Sequence, residues 1–296
     1  MIQYLYLGRV GYDEGLALQA EISALVGEGR LQNVLLLLEH PPVLTLGRNA
    51  HRSNILASDE LLASRGFTIH EINRGGDVTY HGPGQLVGYP IFDLRTLHSP
   101  SGGRMGPVDF VRGMEEALIR VCGSFGVPAG RIPGLTGVWC GLSPAGLSDG
   151  NPLDEISGTG EPHAKMGRKI GAIGIHVSRG ITSHGFAFNV TTDLTDFELI
   201  IPCGIPDHPV TSLESEVRTL QQQKLKALPP LEEIAHQAAR AFGQVFGEQV
   251  LAVENLQALR SHAAVVPPQF PAEDTPLRVP AEVERLSGIG DPPVRA

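Results

Sequence analysis

Hydrophobic positions along the 296-residue chain follow two periods, one typical of helices and the other of strands. The run at residues 33–39 is aliphatic almost throughout and stops at His40-Pro41-Pro42, which predicts a buried strand ended by proline. Apolar residues at helical spacing predict helices over residues 12–28, 58–64, 107–125 and 230–246.

Shorter apolar segments separated by glycine predict the remaining strands. The segments 169–178 and 181–189 meet at Arg179-Gly180, which favours an antiparallel hairpin. Since helices and strands mix without a regular βαβ repeat, we expect an α+β fold with a mixed, mostly antiparallel central sheet and flanking helices. The other predicted strands cover residues 3–8, 43–47, 68–73, 78–80, 86–93 and 136–140.

Two segments differ from this pattern. Residues 141–167 are rich in Gly, Pro, Ser and Asp and are expected to form a long, flexible surface loop. Residues 251–296, which become rich in proline and charge after about residue 265, are expected to form a flexible tail. Residues 1–250 are therefore predicted to form a single domain.

Composition and charge exclude several classes of protein. Hydrophobic residues make up 42% and charged residues 19%, as in a globular protein. No apolar run approaches the ~20 residues of a membrane span, and residues 1–8 lack the basic start of a signal peptide. A net charge of −9 argues against general nucleic-acid binding. We therefore expect a cytoplasmic protein with neither a membrane nor a nucleic acid as partner.

The three cysteines are Cys122, Cys140 and Cys203. Their spacing fits neither a zinc site nor a disulfide framework, and no metal site is predicted. Any one of them is first interpreted as a buried, inert thiol. Cys122 lies within a predicted helix among apolar neighbours, and Cys140 follows Trp139 at the edge of the 141–167 loop. Cys203 lies between proline and glycine on a predicted loop, which makes it a plausible nucleophile.

Residues 74–85, RGGDVTYHGPGQ, are the densest unusual stretch. Its glycines suit a backbone that turns sharply or approaches a ligand closely, while Arg74 could hold an anion and His81 could exchange a proton. An ordinary Gly-Pro turn is the alternative. The stretch matches neither a P-loop nor the dinucleotide-binding motif.

This stretch resembles the signature of the lipoyl(octanoyl) transferase family. Further matching motifs follow in the family's order: HPPVLTLGR at 40–48, GYP at 88–90, GVW at 137–139, KIGAIG at 169–174, HGFAFN at 184–189 and IPCG at 201–204. The resemblance covers about residues 3–247 and departs from the family at 141–167 and after about residue 250. It implies the fold of the biotin and lipoate protein ligases.

The resemblance also implies an activity that needs no cofactor. Such enzymes take an octanoyl group from acyl carrier protein, hold it as a cysteine thioester and transfer it to a lysine of a lipoyl domain. The acceptors are lipoyl domains of 2-oxoacid dehydrogenases and the glycine cleavage H protein. The nucleophile maps onto Cys203 and the lysine that lowers its pKa onto Lys169. The acyl-binding positions map onto Arg74, Gly75, Gly76, Asp77, Val78, Thr79, Tyr80, His81, Ala172, Ile173, Gly174, Gly185, Phe186 and Ala187.

The chemistry of these residue types agrees with that assignment. An ammonium about 4 Å from a thiolate, at an effective dielectric of about 20, is worth roughly 4 kcal/mol before desolvation. Lys165 is a competing candidate, but Lys169 begins a strand-like run and is preferred. A medium acyl chain also needs an apolar tunnel, which small residues could line without filling it: Gly76, Gly174, Gly185 and Ala187.

Both protein partners implied by the resemblance tend to be acidic, which conflicts with a net charge of −9. We therefore expect a local basic rim formed by Arg48, Arg52, Arg74, Arg168 and Arg179. Three other functions remain open. They are an ATP-dependent lipoate or biotin ligase, a non-catalytic protein that binds lipoyl domains, and a cysteine hydrolase that releases free octanoate.

Overall fold

The structure, a computed structural model, describes residues 1–99, 102–142, 167–204, 208–220 and 227–264, and for Cys203 and Ala264 it describes the backbone only. The strands are β1 Ile2–Arg9, β2 Asn33–Glu39, β3 Val43–Leu46, β4 Thr68–Glu71, β5 Val78–His81, β6 Gln85–Ile91, β7 Ala129–Ile132, β8 Leu135–Cys140, β9 Arg168–Ser178, β10 Ile181–Asn189 and β11 Val250–Ala252. The α-helices are α1 Tyr12–Gly27, α2 Asp59–Ser64, α3 Pro107–Ser124, α4 Leu213–Leu220, α5 Leu231–Phe246 and α6 Leu256–Ala264.

Eight of these strands form one large sheet in the order β11-β1-β2-β6-β10-β9-β8-β7. The pairs β11–β1 and β1–β2 are parallel, and the pairs from β2 through β7 are antiparallel. The predicted mixed, mostly antiparallel sheet with flanking helices is confirmed.

The strand β2 lies inside the large sheet and is buried on both faces. Leu35 and Leu37 join one hydrophobic cluster with residues of α3 and α5, while Val34, Leu36 and Leu38 join another with α1 and α6. Side chains alternate between the faces of a strand, so a continuous aliphatic run requires helices on both sides. The prediction of a buried strand at 33–39 is confirmed for this reason.

The hairpin of β9 and β10 is also confirmed. Ser178 pairs with Ile181, so the loop consists of two residues, Arg179 and Gly180. Both have positive φ, at 49° and 85°, which is the type I′ turn that matches the twist of two antiparallel strands.

A separate three-stranded sheet, in the order β4-β3-β5, lies beside the large one. Its own hydrophobic cluster includes Leu44, Val78 and Tyr80. The segment before β5 binds the large sheet, because the Gly75 amide donates to the Ile175 carbonyl of β9 at 3.0 Å. The two sheets therefore meet along the Arg74–His81 segment.

The domain extends beyond residue 250, where the sequence placed its end. The strand β11 pairs with β1, and Val253, Leu259 and Ala263 are buried. These elements were missed because strands of three residues and helices of nine are too short for a clear periodic signal. Residues 265–296, and residues 143–166 of the predicted loop with Lys165, lie outside the described residues. In the described parts of the chain, no helix combines the length and apolarity that crossing a membrane requires.

Candidate active site

A cavity of about 200 Å³ lies where the two sheets meet. One water needs roughly 10–15 Å³ of such space, so a small ligand of several atoms could enter. Gly76, Gly134 and Thr136 line the cavity and are exposed, so it opens to the surface between them. The other lining residues are Tyr12, Arg74, Asp77, Thr79, His81, Val87, Tyr89, Leu135, Lys169, Ala172, Ile173, Gly174, His184, Gly185, Phe186 and Ala187.

Eleven of the fourteen acyl-binding positions expected from the sequence line this cavity, and Gly75, Val78 and Tyr80 do not. Val78 and Tyr80 belong to the hydrophobic cluster of the small sheet, and the Tyr80 hydroxyl donates to Asp196 at 2.7 Å. Their neighbours in β5, Thr79 and His81, face the cavity because successive side chains in a strand point to opposite faces. The motif therefore divides between residues that line the cavity and residues that pack in a core.

Several cavity residues were not predicted. Tyr12 opens α1, and Val87 and Tyr89 lie on β6. Gly134 precedes β8, and Leu135 and Thr136 are its first two residues. For most of these positions no local pattern marks the cavity. His184 was not predicted either. Tyr89 and His184 could have been found from the sequence, since Tyr89 lies in the GYP motif and His184 begins the HGFAFN motif. His184 also has a φ of 56°, a left-handed conformation that is unfavourable inside a strand for any residue but glycine.

Gly174 has a role beyond lining the cavity. A Cβ at this position would lie 2.7 Å from the Gly75 carbonyl oxygen. The small residue therefore lets the Arg74–Gly75 segment approach β9 and form its hydrogen bond to Ile175. The sequence explained this glycine by an open tunnel, and the structure adds close contact between two backbones.

Arg74 forms part of the cavity wall and is buried. Its Nη2 donates to the Thr45 carbonyl at 2.7 Å and to Thr45 Oγ1 at 2.9 Å, and its Nη1 donates to the Gly75 carbonyl at 3.0 Å. The predicted role of Arg74 in the basic rim is therefore wrong, because its charge is enclosed between the two sheets.

Lys169 is fixed near the start of β9 and is 8% exposed. Its amide donates to the Pro209 carbonyl at 2.8 Å, and its carbonyl accepts from the Thr211 amide at 2.9 Å. Its Nζ lies 5.2 Å from the centre of the Trp139 ring, within the range of a cation–π contact. The side chain is thus held by β8 and reaches the cavity.

The backbone of Cys203 lies in a single 3-10 turn, Pro202–Gly204, beside β5. The turn is held by the Ile201 amide, which donates to the Asn54 carbonyl at 2.7 Å. Gly204 has a φ of 66°, and a Cβ there would lie 2.6 Å from Asp77 Oδ2, so this position requires glycine. A second cavity of about 10 Å³ is lined by both Pro202 and Lys169. The turn that carries Cys203 therefore lies next to Lys169.

The other two cysteines are unsuited to nucleophilic chemistry. Cys122 and Cys140 are fully buried, and Cys122 lies in α3, as predicted. A hydrogen bond with Cys140, together with burial, raises the pKa of the Cys122 thiol well above its usual range. Within the described ranges, no group of three or more His, Cys, Asp or Glu side chains could hold a metal ion.

The remaining arginines of the expected rim differ in their surroundings. Arg168 binds Glu216 through two hydrogen bonds of 2.8 Å, and Arg52 contacts Asp59. Arg48 and Arg179 are exposed. The backbone amide of Arg48 donates to the Arg74 carbonyl at 3.0 Å, which places Arg48 beside the cavity wall. Arg48 and Arg179 are therefore the remaining candidates for the predicted basic rim.

Two buried histidines, His81 and His184, line the cavity, and a third, His40, contacts the lining residue Tyr89; all three are neutral at physiological pH. Burial lowers the pKa of His40 to about 4, that of His81 to about 3 and that of His184 to about 4. His40 nevertheless has partners for both ring nitrogens, the Val10 carbonyl and the Tyr89 hydroxyl, each at 2.7 Å. The site thus holds uncharged imidazoles around a buried guanidinium.

Because the folded state holds these histidines neutral, the free energy of unfolding should fall as the pH drops below about 6.5. This loss begins at a higher pH than the protonation of ordinary carboxylates. Above about pH 6.5 they are neutral in both states. As the pH falls, only the unfolded chain takes up their protons, until the folded pKa values near 3 and 4 are reached. From pH 6 to pH 5 the free energy of unfolding should fall by roughly 3 kcal/mol for three such groups.

Urea unfolding at pH 7, 6 and 5 measures this loss. His40→Asn should reduce the dependence by about one third, since one of three groups is removed. His98→Gln, at an exposed position, is the control and should leave it unchanged. A free energy of unfolding that stays constant from pH 7 to pH 5 contradicts the assignment.

A family model and several known proteins match this chain over most of its length. A family model described as the lipoyl protein ligase A/B catalytic domain matches residues 11–229. A protein of Acidobacterium capsulatum named octanoyltransferase is 56% identical over 256 residues, which cover 86% of this chain and 94% of that protein. One of Koribacter versatilis with the same name is 48% identical over 286 residues, covering 97% of each chain.

Solved structures resemble the fold at low sequence identity. A lipoate-protein ligase A bound with ATP has a TM-score of 0.57 and 14% identity, over 89% of this chain and 93% of that one. A bipartite lipoate protein ligase from Thermoplasma acidophilum, solved in a study that includes its E2 lipoyl domain, has a TM-score of 0.54 and 15% identity, over 89% and 91%. At such identities the likeness concerns the fold alone.

Proposed function

Because the chain belongs to the lipoyl protein ligase A/B catalytic domain family, we propose that it transfers an octanoyl group from acyl carrier protein to a lipoyl-domain lysine. The group is held between the two transfers as a thioester on Cys203. The relatives named octanoyltransferase, 56% and 48% identical over most of the chain, support this reaction over the other functions left open by the sequence.

One observation carries the assignment of residues. Lys169 lines both the large cavity and the small one, and Pro202, the neighbour of Cys203, lines the small one. A cation at the cavity wall therefore adjoins the turn that carries the thiol. An ammonium close to a thiol favours the thiolate, which is the nucleophilic form.

The first transfer moves the acyl group onto the enzyme. The Cys203 thiolate attacks the thioester carbonyl of the donor, a carbon–sulfur bond forms, and the bond to the carrier sulfur breaks. The carrier leaves as a thiolate and takes up a proton from the Lys169 ammonium, which leaves Lys169 neutral. Lys169, as the ammonium, stabilises the attacking thiolate before the bond forms.

The second transfer moves the acyl group to the acceptor. The neutral amine of the lipoyl-domain lysine attacks the Cys203 thioester, and an amide forms as the carbon–sulfur bond breaks. The amine must lose a proton, and Lys169 in its neutral form accepts it. The enzyme then returns to its thiolate–ammonium state, so the cycle consumes no cofactor.

The large cavity suits the acyl chain. Val87, Phe186 and Ala187 supply apolar surface, and the open side between Gly76 and Thr136 admits the chain. Burying about six methylenes at roughly 0.8 kcal/mol each is worth about 5 kcal/mol. Buried His81 and His184, being neutral, can lie beside such a chain without the cost of a buried charge.

Intact-mass spectrometry tests the proposal. After incubation with octanoyl acyl carrier protein and without ATP, the protein should gain the mass of one octanoyl group, which hydroxylamine removes. Adding a lipoyl domain should move that mass to the domain. An adduct that needs free octanoate and ATP indicates a ligase, and release of free octanoate indicates a hydrolase. Binding of lipoyl domains without any adduct indicates a non-catalytic protein.

The basic rim makes a separate prediction about the carrier protein. Arg48→Glu combined with Arg179→Glu should raise the Michaelis constant for the acidic carrier by about tenfold at low salt, because two attractive charges become repulsive. The difference should shrink as salt screens these exposed charges. Arg240→Glu is the control, because Arg240 is exposed on α5 and the substitution makes the same charge change as either rim substitution. A constant that does not change with the double variant at any salt concentration rules out the rim.

A further inference from the structure

A chain of buried side-chain hydrogen bonds crosses from the small sheet to the large one. Thr45 Oγ1 contacts His81 Nε2 at 3.4 Å, and His81 Nδ1 contacts Gln85 Oε1 at 2.8 Å. Gln85 Nε2 donates to Asn189 Oδ1 at 2.9 Å, and Asn189 Nδ2 donates to the Thr211 carbonyl at 2.9 Å. The four side chains of Thr45, His81, Gln85 and Asn189 are buried.

The direction of every bond in this chain is determined by its two ends. At one end Arg74 Nη2, which can only donate, binds Thr45 Oγ1 at 2.9 Å. At the other end the Thr211 carbonyl can only accept. The Tyr80 carbonyl determines the orientation of the Gln85 amide as well, because it accepts from Gln85 Nε2 at 3.1 Å. Gln85 Oε1 must therefore face His81.

This direction assigns the tautomer of His81. Gln85 Oε1 is an acceptor, so His81 Nδ1 carries the proton. The neutral ring then has a lone pair on Nε2, which accepts the Thr45 hydroxyl proton while Thr45 accepts from Arg74. Burial lowers the pKa of His81 to about 3, so the ring is neutral at physiological pH.

The chain of hydrogen bonds ends at the backbone that holds the proposed general base. The Thr211 amide donates to the Lys169 carbonyl at 2.9 Å, and the Thr211 carbonyl accepts from Asn189. The same residue therefore binds both Asn189 and the Lys169 backbone. Val210, between Pro209 and Thr211, pairs with Lys169 in a parallel bridge. This series of hydrogen bonds therefore connects Arg74, in the wall of the large cavity, with the backbone of Lys169.

We propose that Gln85 and Asn189 are positioning residues of the acyl transfer. They hold His81 as the Nδ1–H tautomer and fix Arg74 and the Lys169 backbone relative to each other across the two sheets. His81 thus serves as a fixed hydrogen-bond acceptor for Thr45, and its ring exchanges no proton with the substrate. This inference rests on the proposed function for its effect on rate, whereas the tautomer stands independently of it.

The tautomer is tested first, in the full-length protein without substrate. Nitrogen-15 NMR of the histidine rings should show His81 with a protonated Nδ1 and an unprotonated Nε2, identified by loss of the signal in His81→Asn. A protonated Nε2 in the wild-type protein overturns the proposal.

The positioning role is tested by variants of nearly equal shape. Gln85→Glu keeps an acceptor for His81 and loses the donors to Asn189 and Tyr80, while Asn189→Asp loses the donor to Thr211. Each should lower the rate constant of acylation by octanoyl carrier protein about tenfold, with the Michaelis constant unchanged. Gln85→Glu should also change the His81 nitrogen spectrum, and Asn189→Asp should not.

Gln3→Glu is the matched control, because Gln3 is buried in β1 and binds His262 far along the chain from the site. It should retain the wild-type acylation rate. If Gln85→Glu does not fold, as judged by its melting temperature, Asn189→Asp carries the rate test. Acylation by Asn189→Asp at the Gln3→Glu rate overturns the positioning role. If the wild-type protein forms no octanoyl adduct, the proposed function fails while the assigned tautomer can still be observed.

Discussion

Cys203→Ala is expected to abolish the octanoyl adduct and to lower the transfer rate by at least about 10⁴-fold, as removal of a covalent nucleophile does in other enzymes. The sulfur is the only atom in the proposed cycle that forms a bond to the acyl carbon before the acceptor arrives. The turn that carries it, Pro202–Gly204, is held by contacts of its neighbours, Ile201 and Gly204. The variant should therefore keep the fold and lose the reaction.

Intact mass and a transfer assay to a lipoyl domain measure this effect. Cys122→Ala and Cys140→Ala are the matched controls, since each removes a buried thiol from the core. They should lower the melting temperature slightly and still form the adduct. Wild-type transfer by Cys203→Ala would contradict the thioester mechanism and favour direct attack of the lysine on the donor.

Lys169→Met is expected to have the second largest effect, and the effect should depend on pH. Without the ammonium, the thiol pKa should rise toward that of an ordinary cysteine, about 8.5, which is only a few per cent thiolate at neutral pH. Acylation at pH 7 should fall by roughly 20-fold and recover much of its rate near pH 9. The apolar methionine keeps a similar length against Gly137 and Trp139, which contact the lysine chain.

The pH profile of adduct formation, followed by quenched-flow mass spectrometry, measures this shift. Lys165→Met is the matched control and tests Lys165 as the alternative partner of Cys203. A shift in Lys165→Met without one in Lys169→Met would reverse the assignment. The second transfer should remain slow in Lys169→Met even at pH 9, because the proposed proton acceptor is missing.

The meeting of two sheets explains why the site needs so many small and buried polar residues. Gly174 permits the contact of Gly75 with β9, and the Arg74 guanidinium fills the space between the sheets with hydrogen bonds to Thr45. Buried polar groups must be satisfied or they cost stability, so this junction fixes its own geometry. The same groups then hold the wall of the cavity in place.

Much of the fold could be predicted from the sequence because its signals are local. The aliphatic run of β2 indicated burial on both faces, and Arg179-Gly180 indicated the hairpin, since helical and strand periods and turn residues act over a few positions. The family prediction, made from short motifs such as HGFAFN and IPCG, is confirmed by the family model and by the relatives at 56% and 48% identity. The roles of Cys203 and Lys169 stay predictions that the experiments above decide.

The tertiary structure alone decided which side of each segment faces the cavity and what completes it. It placed Val78 and Tyr80 in a core, enclosed Arg74, and brought Tyr12 and His184 to the same wall. It also extended the domain through β11 and α6. These features depend on contacts between residues far apart in the chain, and no local period encodes such contacts. The sequence determined the elements and the candidate chemistry, whereas packing of the two sheets determined the site.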